Sequence, residues 1–466
     1  MAGGTMQLLF KGQQDIYLTS NPSISFFKRI YRTHTNFSME SIAMTFDNTV
    51  ANIYQSTTFK AKIKRHGDLA AQIYFVMEFP DIISDNIMNF RWIDNLGEAA
   101  IESCHVSIGG SIIDRQTGEL FHARKYLSKS RESREIYDKM IGNVWEMTAP
   151  ENYNIDTLSK FPVRYRIGAN YPVVKTEAIQ QGEEDNFQPS ISRRKLYIPL
   201  QFWFTDVGNA LPLVSLQYSE VEISVTIRPI AQLYKIFYRK DGVQDYFAPS
   251  PGNAAHKLKN FVTNSRQRYL ISDDVLDVRA YMEVNYIYLD KLERKYFAYK
   301  PLEYLIQQHT RIERIGLEQN NVIEFVLQNP VKEIIWFCRR DNVGQWNNWL
   351  DFTDGSISQI LKTAKFMFNG VDRIEEKDAE YFNWLQPYQH HTGPGKSGLY
   401  CYCFSMYPDE YQPSGSVNMS RISKVQCVMR VKKTQDTSYK YDAVFYVVNY
   451  NILKVMSGLA SVAYAL

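Results

Sequence analysis

Apolar and polar positions alternate with a period of two along much of the chain. Phe59, Ala61 and Ile63 alternate with Lys60, Lys62 and Lys64, the pattern of a strand with one wet face. Ile73, Phe75, Met77 and Phe79 share one face of the next run. Val221, Ile223, Val225 and Ile227 alternate with Glu220, Glu222, Ser224 and Thr226, and Val425, Cys427, Met429 and Val431 repeat the pattern near the end. Leu196 to Phe204 and Val444 to Leu453 are richer in aromatic and β-branched residues, which predicts strands buried on both faces. Gly109-Gly110 and Asn369-Gly370 interrupt apolar runs with residues that accept positive φ, so each predicts a tight hairpin.

Helical patterns are few and short. Ser130 to Met140 is charged and stops at Gly142. Asp290 with Glu293 resembles a capping box opening Lys291 to Tyr299, which Pro301 closes. Glu375 to Trp384 reads as a third helix, ending near Pro387. None alternates regularly with strands, so a doubly wound α/β fold is disfavoured and sandwiches or barrels are expected. No repeat of 20–50 residues is visible, which argues against propellers and solenoids. Two polar stretches, Gln180 to Ser192 and Lys240 to Arg268, read as exposed loops, the second carrying Pro249, Ser250, Pro251 and Gly252. A junction is expected near residue 230, with 231–270 as linker or exposed loop.

The chain has 466 residues, enough to bury a sizeable core without disulfides or metals. Lys+Arg total 53 and Asp+Glu 50, a formal net charge of +3, which disfavours a dedicated duplex-DNA binder. Aromatic residues make up 14%, with 32 Tyr, 26 Phe and 7 Trp, and core or interface packing is their default use. Met1 to Phe10 has no basic n-region and no long apolar h-region, so no secretory signal is expected. The apolar tail from Val444 to Leu466 is interrupted by Asn449, Asn451 and Lys454, and reads as a packed strand. Cys104, Cys338, Cys401, Cys403 and Cys427 form an odd, scattered set, which suits buried free thiols in a reducing compartment. The sequons at Asn36 and Asn418 are then expected to be unused.

His390 to Gly398, HHTGPGKSG, holds the most tempting chemistry. Gly393, Gly395 and Gly398 match G-x-G-x-x-G, and Gly395-Lys396-Ser397 resembles the end of a phosphate loop. A phosphate cradle needs a preceding strand and a following helix N-terminus. Here a helix precedes and the strand-like Leu399 to Phe404 follows, so a flexible loop is the reading. Adjacent His390 and His391 would point to opposite faces of a strand, and a bicupin-type enzyme would need spaced histidines; both are read as polar loop residues. Cys401 and Cys403 share one strand face, but a second pair to complete a zinc site is missing. The Lys60, Lys62 and Lys64 stripe reads as a solvated strand face. No nucleophile elbow, H-E-x-x-H or EF-hand motif occurs. No catalytic residue, metal or cofactor is expected.

The stretch from Gly3 to Ile42 resembles the opening of major capsid proteins of nucleocytoplasmic large DNA viruses. The resemblance rests on Gln14, Asp15, Tyr17, Leu18 and Thr19, Asn21-Pro22, Phe26-Phe27, Tyr31, and His34-Thr35-Asn36-Phe37. It continues through Leu211-Pro212 with Leu216 to Val221, similar to the last strand region of the family's first domain. Tyr286 to Asp290 with Glu293-Arg294 is similar to its second-domain entry. Phe368-Asn369-Gly370, Gln412 to Ser416 with Asn418 and Ser420-Arg421, and Asn449-Tyr450-Asn451 to Tyr464 complete it. The resemblance implies an all-β chain: two tandem eight-stranded jelly-roll β-sandwiches with a few short helices. The expected limits are an N-terminal arm at 1–24, a first jelly roll at 25–230 and a second at 231–466. It also implies a homotrimer forming a pseudo-hexagonal capsomer that tiles an icosahedral shell, with the polar loops projecting outward. Implied neighbours are other capsomers, minor capsid and penton proteins and an internal virion membrane, with no direct nucleic-acid contact. The implied location is the virion, assembled in host cytoplasm. Gln14, Asp15, Tyr17, Asn21, Pro22, Phe26, Phe27, Tyr31, His34, Asn36 and Phe37 are the expected assembly residues. The alternatives are a minor capsid protein of the same fold, or a jelly-roll carbohydrate-binding or bicupin-type protein.

Overall fold

The computed structural model describes residues 3–47, 54–82, 88–149, 190–238, 246–262, 279–355, 358–434 and 438–464. The chain divides into two compact units, Met1–Phe37 and Ser38–Leu466. The first unit carries helices α1 (Gly3–Leu9) and α2 (Gln13–Thr19), neither of which buries a residue. Asp15 opens α2 by accepting the Gly12 N–H through Oδ2 at 2.9 Å.

The first half of the larger unit holds β1 (Phe37–Met44), β2 (Thr57–Lys62), β3 (Leu69–Phe79), β4 (Met88–Trp92), β5 (Ile101–Ile108), β6 (Ser111–Gln116), β7 (Arg194–Leu200), β8 (Val221–Ile227), β9 (Tyr234–Tyr238), β10 (Tyr246–Phe247) and β11 (Arg279–Leu289). One sheet runs β1-β11-β3-β7 and the other β2-β8-β5-β6, with a small third sheet β10-β9-β4. The second half holds β12 (Leu302–Leu317), β13 (Asn320–Phe325), β14 (Pro330–Arg340), β15 (Leu361–Phe368), β16 (Val371–Asp372), β17 (Lys377–Asp378), β18 (Leu399–Cys403), β19 (Val417–Asn418), β20 (Val425–Val431), β21 (Tyr441–Met456) and β22 (Leu459–Val462). Its sheets run β12-β21-β14-β18 and β13-β20-β15-β16, with β17, β19 and β22 as short additions.

With β4, β9, β10, β17, β19 and β22 set aside, each half keeps eight strands. Counted in chain order within each half, the two sheets read 1-8-3-6 and 2-7-4-5 both times. That is the jelly-roll order, two interlocked Greek keys closed by pairing of the first strand with the last. The expected all-β double jelly roll is the observed fold. The expected junction near residue 230 falls just after β8. Beyond it, β9 pairs with β4, and β11 pairs antiparallel with β3 from Arg279↔Glu78 to Ile287↔Leu69. Tyr286 to Leu289, expected at the entry to a second domain, ends this eighth strand.

Local chemistry explains the elements. In β2 Phe59 and Ala61 are buried while Lys60 and Lys62 are exposed, as the alternation requires. Gly109 and Gly110 turn β5 into β6 with φ of 58° and 85°, and Asn369-Gly370 turns β15 into β16 with 50° and 82°. Both are two-residue hairpins of left-handed backbone, as predicted. One strand reading shifts and one holds. β7 stops at Leu200, and only Leu196, Ile198 and Leu200 are buried in it, because its other face carries Lys195, Tyr197 and Pro199. β21, by contrast, is buried on both faces from Tyr441 to Asn451.

The helices of the larger unit are α3 (Leu96–Ala100), α4 (Gly118–Ser128), α5 (Arg131–Ile141), α6 (Trp145–Thr148), α7 (Lys259–Val262), α8 (Lys291–Tyr299) and α9 (Gln386–His390). Ser130 caps α5, which ends on Gly142 at φ 81°, and Asp290 caps α8, accepting the Lys291 N–H at 2.7 Å. The helix expected over 375–384 lies later. Lys377–Asp378 pairs with β15 as β17, and a π turn over Tyr381–Leu385 runs into α9. Pro387 does not stop it, because a proline in the first turn of α9 costs no intrahelical N–H. No helix among the described residues is long and apolar enough to cross a membrane. Residues 180–189 of one expected loop, and 240–245 and 263–268 of the other, lie outside the described residues.

Side chains on β14, β18 and β21 sort by parity. Trp336, Tyr400, Tyr402, Ala443, Phe445 and Val447 face the interior of the second sandwich. Ile335, Phe337, Leu399, Cys401, Cys403, Val444, Tyr446 and Val448 face the other way, where Leu120, Ala123 and Leu127 of α4 cover them. A helix from the first half therefore seals the outer face of a sheet in the second.

Candidate functional site

The expected assembly residues do not converge on a pocket. Gln14, Asp15 and Tyr17 lie on α2, Asn21 follows it at φ 50°, and Pro22, Phe26, Phe27, Tyr31, His34 and Asn36 occupy irregular chain up to Phe37, where β1 begins. Tyr17 is 91% exposed and Phe27 fully so. His34 contacts Thr35 O at 2.7 Å and meets the Phe37 ring edge-on at 6.1 Å. Phe26 and Tyr31 are each 87% exposed, so the run leaves its aromatic side chains unburied.

The ionisable side chains that do converge lie along α4. Thr117 caps the helix, and its hydroxyl is 2.6 Å from the Tyr446 hydroxyl, which donates to Glu119 Oε2 at 2.9 Å. Arg339 binds Glu119 Oε1, and Arg311 stands 3.6 Å from Oε2. Burial alone would raise the Glu119 carboxyl, but the guanidiniums of Arg339 and Arg311 outweigh it and hold the group below its ordinary value. One turn on, His122 Nδ1 is 2.7 Å from Glu98 Oε2, and Lys396 Nζ is 2.8 Å from His122 Nε2. Burial raises Glu98 to about 7 and lowers Lys396 to about 8.

The HHTGPGKSG loop is a loop, as expected, but it is packed in place. Gly393 N–H donates to Leu127 O at 2.6 Å and Gly395 N–H to Tyr126 O at 3.2 Å, so the loop caps the last carbonyls of α4. A Cβ at Gly393 would lie 2.2 Å from Tyr126 O, which explains the glycine without a phosphate. Two of the amides a cradle would aim at phosphate are thus engaged by carbonyls.

His391 corrects the polar-loop reading: its side chain is 1% exposed. Nδ1 is 2.9 Å from Asp409 Oδ1, while Nε2 is 3.2 Å from Glu333 Oε2 and 3.5 Å from Cys403 Sγ. Burial disfavours a charged imidazole here, yet Asp409, Cys403 and Glu333 together push its pKa well above the ordinary value. Asp409 also accepts the Thr392 N–H at 2.8 Å; burial alone would raise its carboxyl, but the His391 imidazole outweighs it and holds the group at about 2. Beside them Lys332 donates to Gln307 Oε1 and Pro408 O, both at 2.8 Å. Burial lowers it to about 8. Sequence reasoning missed this cluster because Glu333 and Asp409 lie far from His391 along the chain. The one available signal was Lys332-Glu333 inside an otherwise apolar strand. By contrast His390 is half-buried, with Nδ1 3.1 Å from Met406 O.

The Glu119 and His122 groups join helix α4 of the first half to the second half, a structural use of charge. Residues 25–290 match the family model described as major capsid protein N-terminus, and residues 293–461 match that of the large eukaryotic DNA virus major capsid protein. The chain is 32% identical to the major capsid protein of Phaeocystis pouchetii virus over the whole of both chains. A quasi-atomic model of the PBCV-1 virus capsid superposes with a TM-score of 0.68 at 22% identity, covering 95% of this chain and 100% of that one. The Faustovirus major capsid protein gives 0.68 at 13% identity, covering 96% and 94%. On the strand order, the two matched segments and the full-length identity, this chain belongs to the major capsid proteins of large eukaryotic DNA viruses.

Proposed function

We propose that three copies of this chain form a pseudo-hexagonal capsomer that tiles the icosahedral shell of a large DNA virus. The observation that carries this is the repeated strand order: two sandwiches of one topology per chain give six per trimer, so a threefold ring offers near-sixfold packing. We place the division between jelly rolls at α8, after β11 has closed the first and before β12 opens the second. Residues 1–24 act as an arm that contacts minor capsid or penton proteins near an internal membrane. The exposed Leu8, Phe10, Tyr17 and Leu18 support that role. On the larger unit Trp145, Tyr218, Trp384 and Tyr388 are exposed, and they supply the aromatic area that contacts between subunits favour. The product enters the virion capsid, with assembly in the host cytoplasm.

Mass measurement tests this. A 54.3-kDa chain gives a trimer of about 163 kDa. The expected particle has a hexagonal outline in electron micrographs. A strictly monomeric species at micromolar concentration, with no lattice at any salt, overturns it. High copy number per virion separates the main shell subunit from a minor capsid protein of the same fold.

A further inference from the structure

We propose that Cys401, Cys403 and His391 hold a structural zinc ion between β18 and the loop that caps α4. The three ligand atoms, two Sγ and one imidazole nitrogen, all lie within 4.8 Å of one another. Cys401 and Cys403 are two apart on β18, so the strand's own period puts both thiols on one face, and that face is buried. With Zn–S near 2.3 Å and Zn–N near 2.0–2.1 Å, a tetrahedral site needs S···N edges of about 3.5 Å. Cys403 Sγ and His391 Nε2 are 3.5 Å apart.

The second, independent feature is the partner on the far side of the ring. Asp409 Oδ1 sits 2.9 Å from His391 Nδ1, and Asp409 is itself fixed by the Thr392 N–H. A carboxylate holding the far nitrogen of a ligating histidine fixes the tautomer that aims a lone pair at the metal. The fourth position falls to water or to Glu333. Oε2 of Glu333 is buried and is 3.2 Å from Nε2.

Soft thiolates with one imidazole in a closed site favour zinc over magnesium or calcium. Binding releases both thiol protons and any proton on Nε2, and the two positive charges of the ion offset the two thiolates. The ion would tie β18 to the loop that meets α4, a structural role that calls for no substrate access. His390, turned to Met406 O, takes no part.

The test uses the full-length assembled protein, prepared under reducing conditions, incubated with excess zinc and desalted. Elemental analysis is expected to give about one zinc per chain. Cys403→Ser and Cys401→Ser are each expected to lose most of it, and His390→Ala to keep it. Asp409→Asn is expected to weaken binding by about 10–100-fold in competition with a chromophoric chelator. Wild-type protein stripped by chelator and refilled with cobalt(II) needs no substitution, and is expected to show a thiolate-to-cobalt charge-transfer band. Less than about 0.1 zinc per chain, or cobalt bound without a thiolate band, overturns the proposal. His391 is then only an imidazolium held between Asp409 and Glu333.

Discussion

Replacing Glu119 with Gln tests whether α4 locks the two sandwiches together. Glu119 is 4% exposed and serves Arg339, Arg311 and the Tyr446 hydroxyl at once. Removing one partner of a buried ion pair costs about 3–5 kcal/mol when the other charge is stranded. Here the loss is smaller, because Glu313 still stands 3.3 Å from Arg339 and 2.9 Å from Arg311, and Gln keeps one acceptor. We expect about 2–3 kcal/mol, read as a lower urea midpoint at unchanged slope. A double-mutant cycle with Arg339→Leu isolates the pair, with an expected coupling of at least about 1.5 kcal/mol. The sign with pH follows from the depressed carboxyl. Its contribution is complete above the unfolded value and disappears as pH falls through the folded one, so Glu119→Gln has no such acid limb. Additivity of the two substitutions within about 0.5 kcal/mol refutes the lock.

The remaining predictions concern other parts of the molecule. Glu98 has its pKa raised from 4.5 to about 7 by burial, so its contribution is full below the unfolded value and is lost as pH rises through the folded one. Relative to wild type, Glu98→Gln should gain up to about 3 kcal/mol between acid and neutral pH in urea midpoints; a flat difference refutes this. Gly393→Ala should lower stability by about 3 kcal/mol or more, as its Cβ meets two backbone carbonyls, 2.2 Å and 2.7 Å away. Gly252→Ala, with nothing within 4 Å, should be neutral in the same assay. Deleting residues 1–24 should leave the melting temperature of the trimer within about 2 °C, since α1 and α2 bury nothing, yet abolish docking to minor capsid proteins in a reassembly assay. Loss of the trimer itself would count against the arm reading.

The strands were legible wherever one face is wet, because the period-two pattern states which side is buried. β2 and β20 match their predicted faces residue by residue. β11 was harder to assign. Its Tyr286-Ile287-Tyr288-Leu289 run reads as a strand, but only its pairing with β3 says which sandwich it closes. Helix α4 was missed for a physical reason. It buries Glu119, His122 and Lys125 along with Leu120 and Leu127, so it shows no polar stripe to contrast with an apolar one. His391 was misread for the same cause, since a buried polar group is indistinguishable from an exposed one until its partners are in place. Charge networks between distant segments leave little local trace, whereas hairpin glycines and helix caps act within a few residues and were read correctly.

The seating of α4 on β21 also bears on how the chain is made. Thr117 and Tyr446, which meet at the end of α4, are separated by 329 residues. At about 5–20 residues per second, the ribosome takes roughly a quarter of a minute to a minute to supply the far half of that contact. Throughout that interval Leu120, Ala123 and Leu127 lack the apolar face they cover, and Glu119 lacks Arg311, Arg339 and Tyr446. A nascent capsid subunit is thus a natural chaperone client until its last long strand emerges. Premature association is expected in chains truncated before β21.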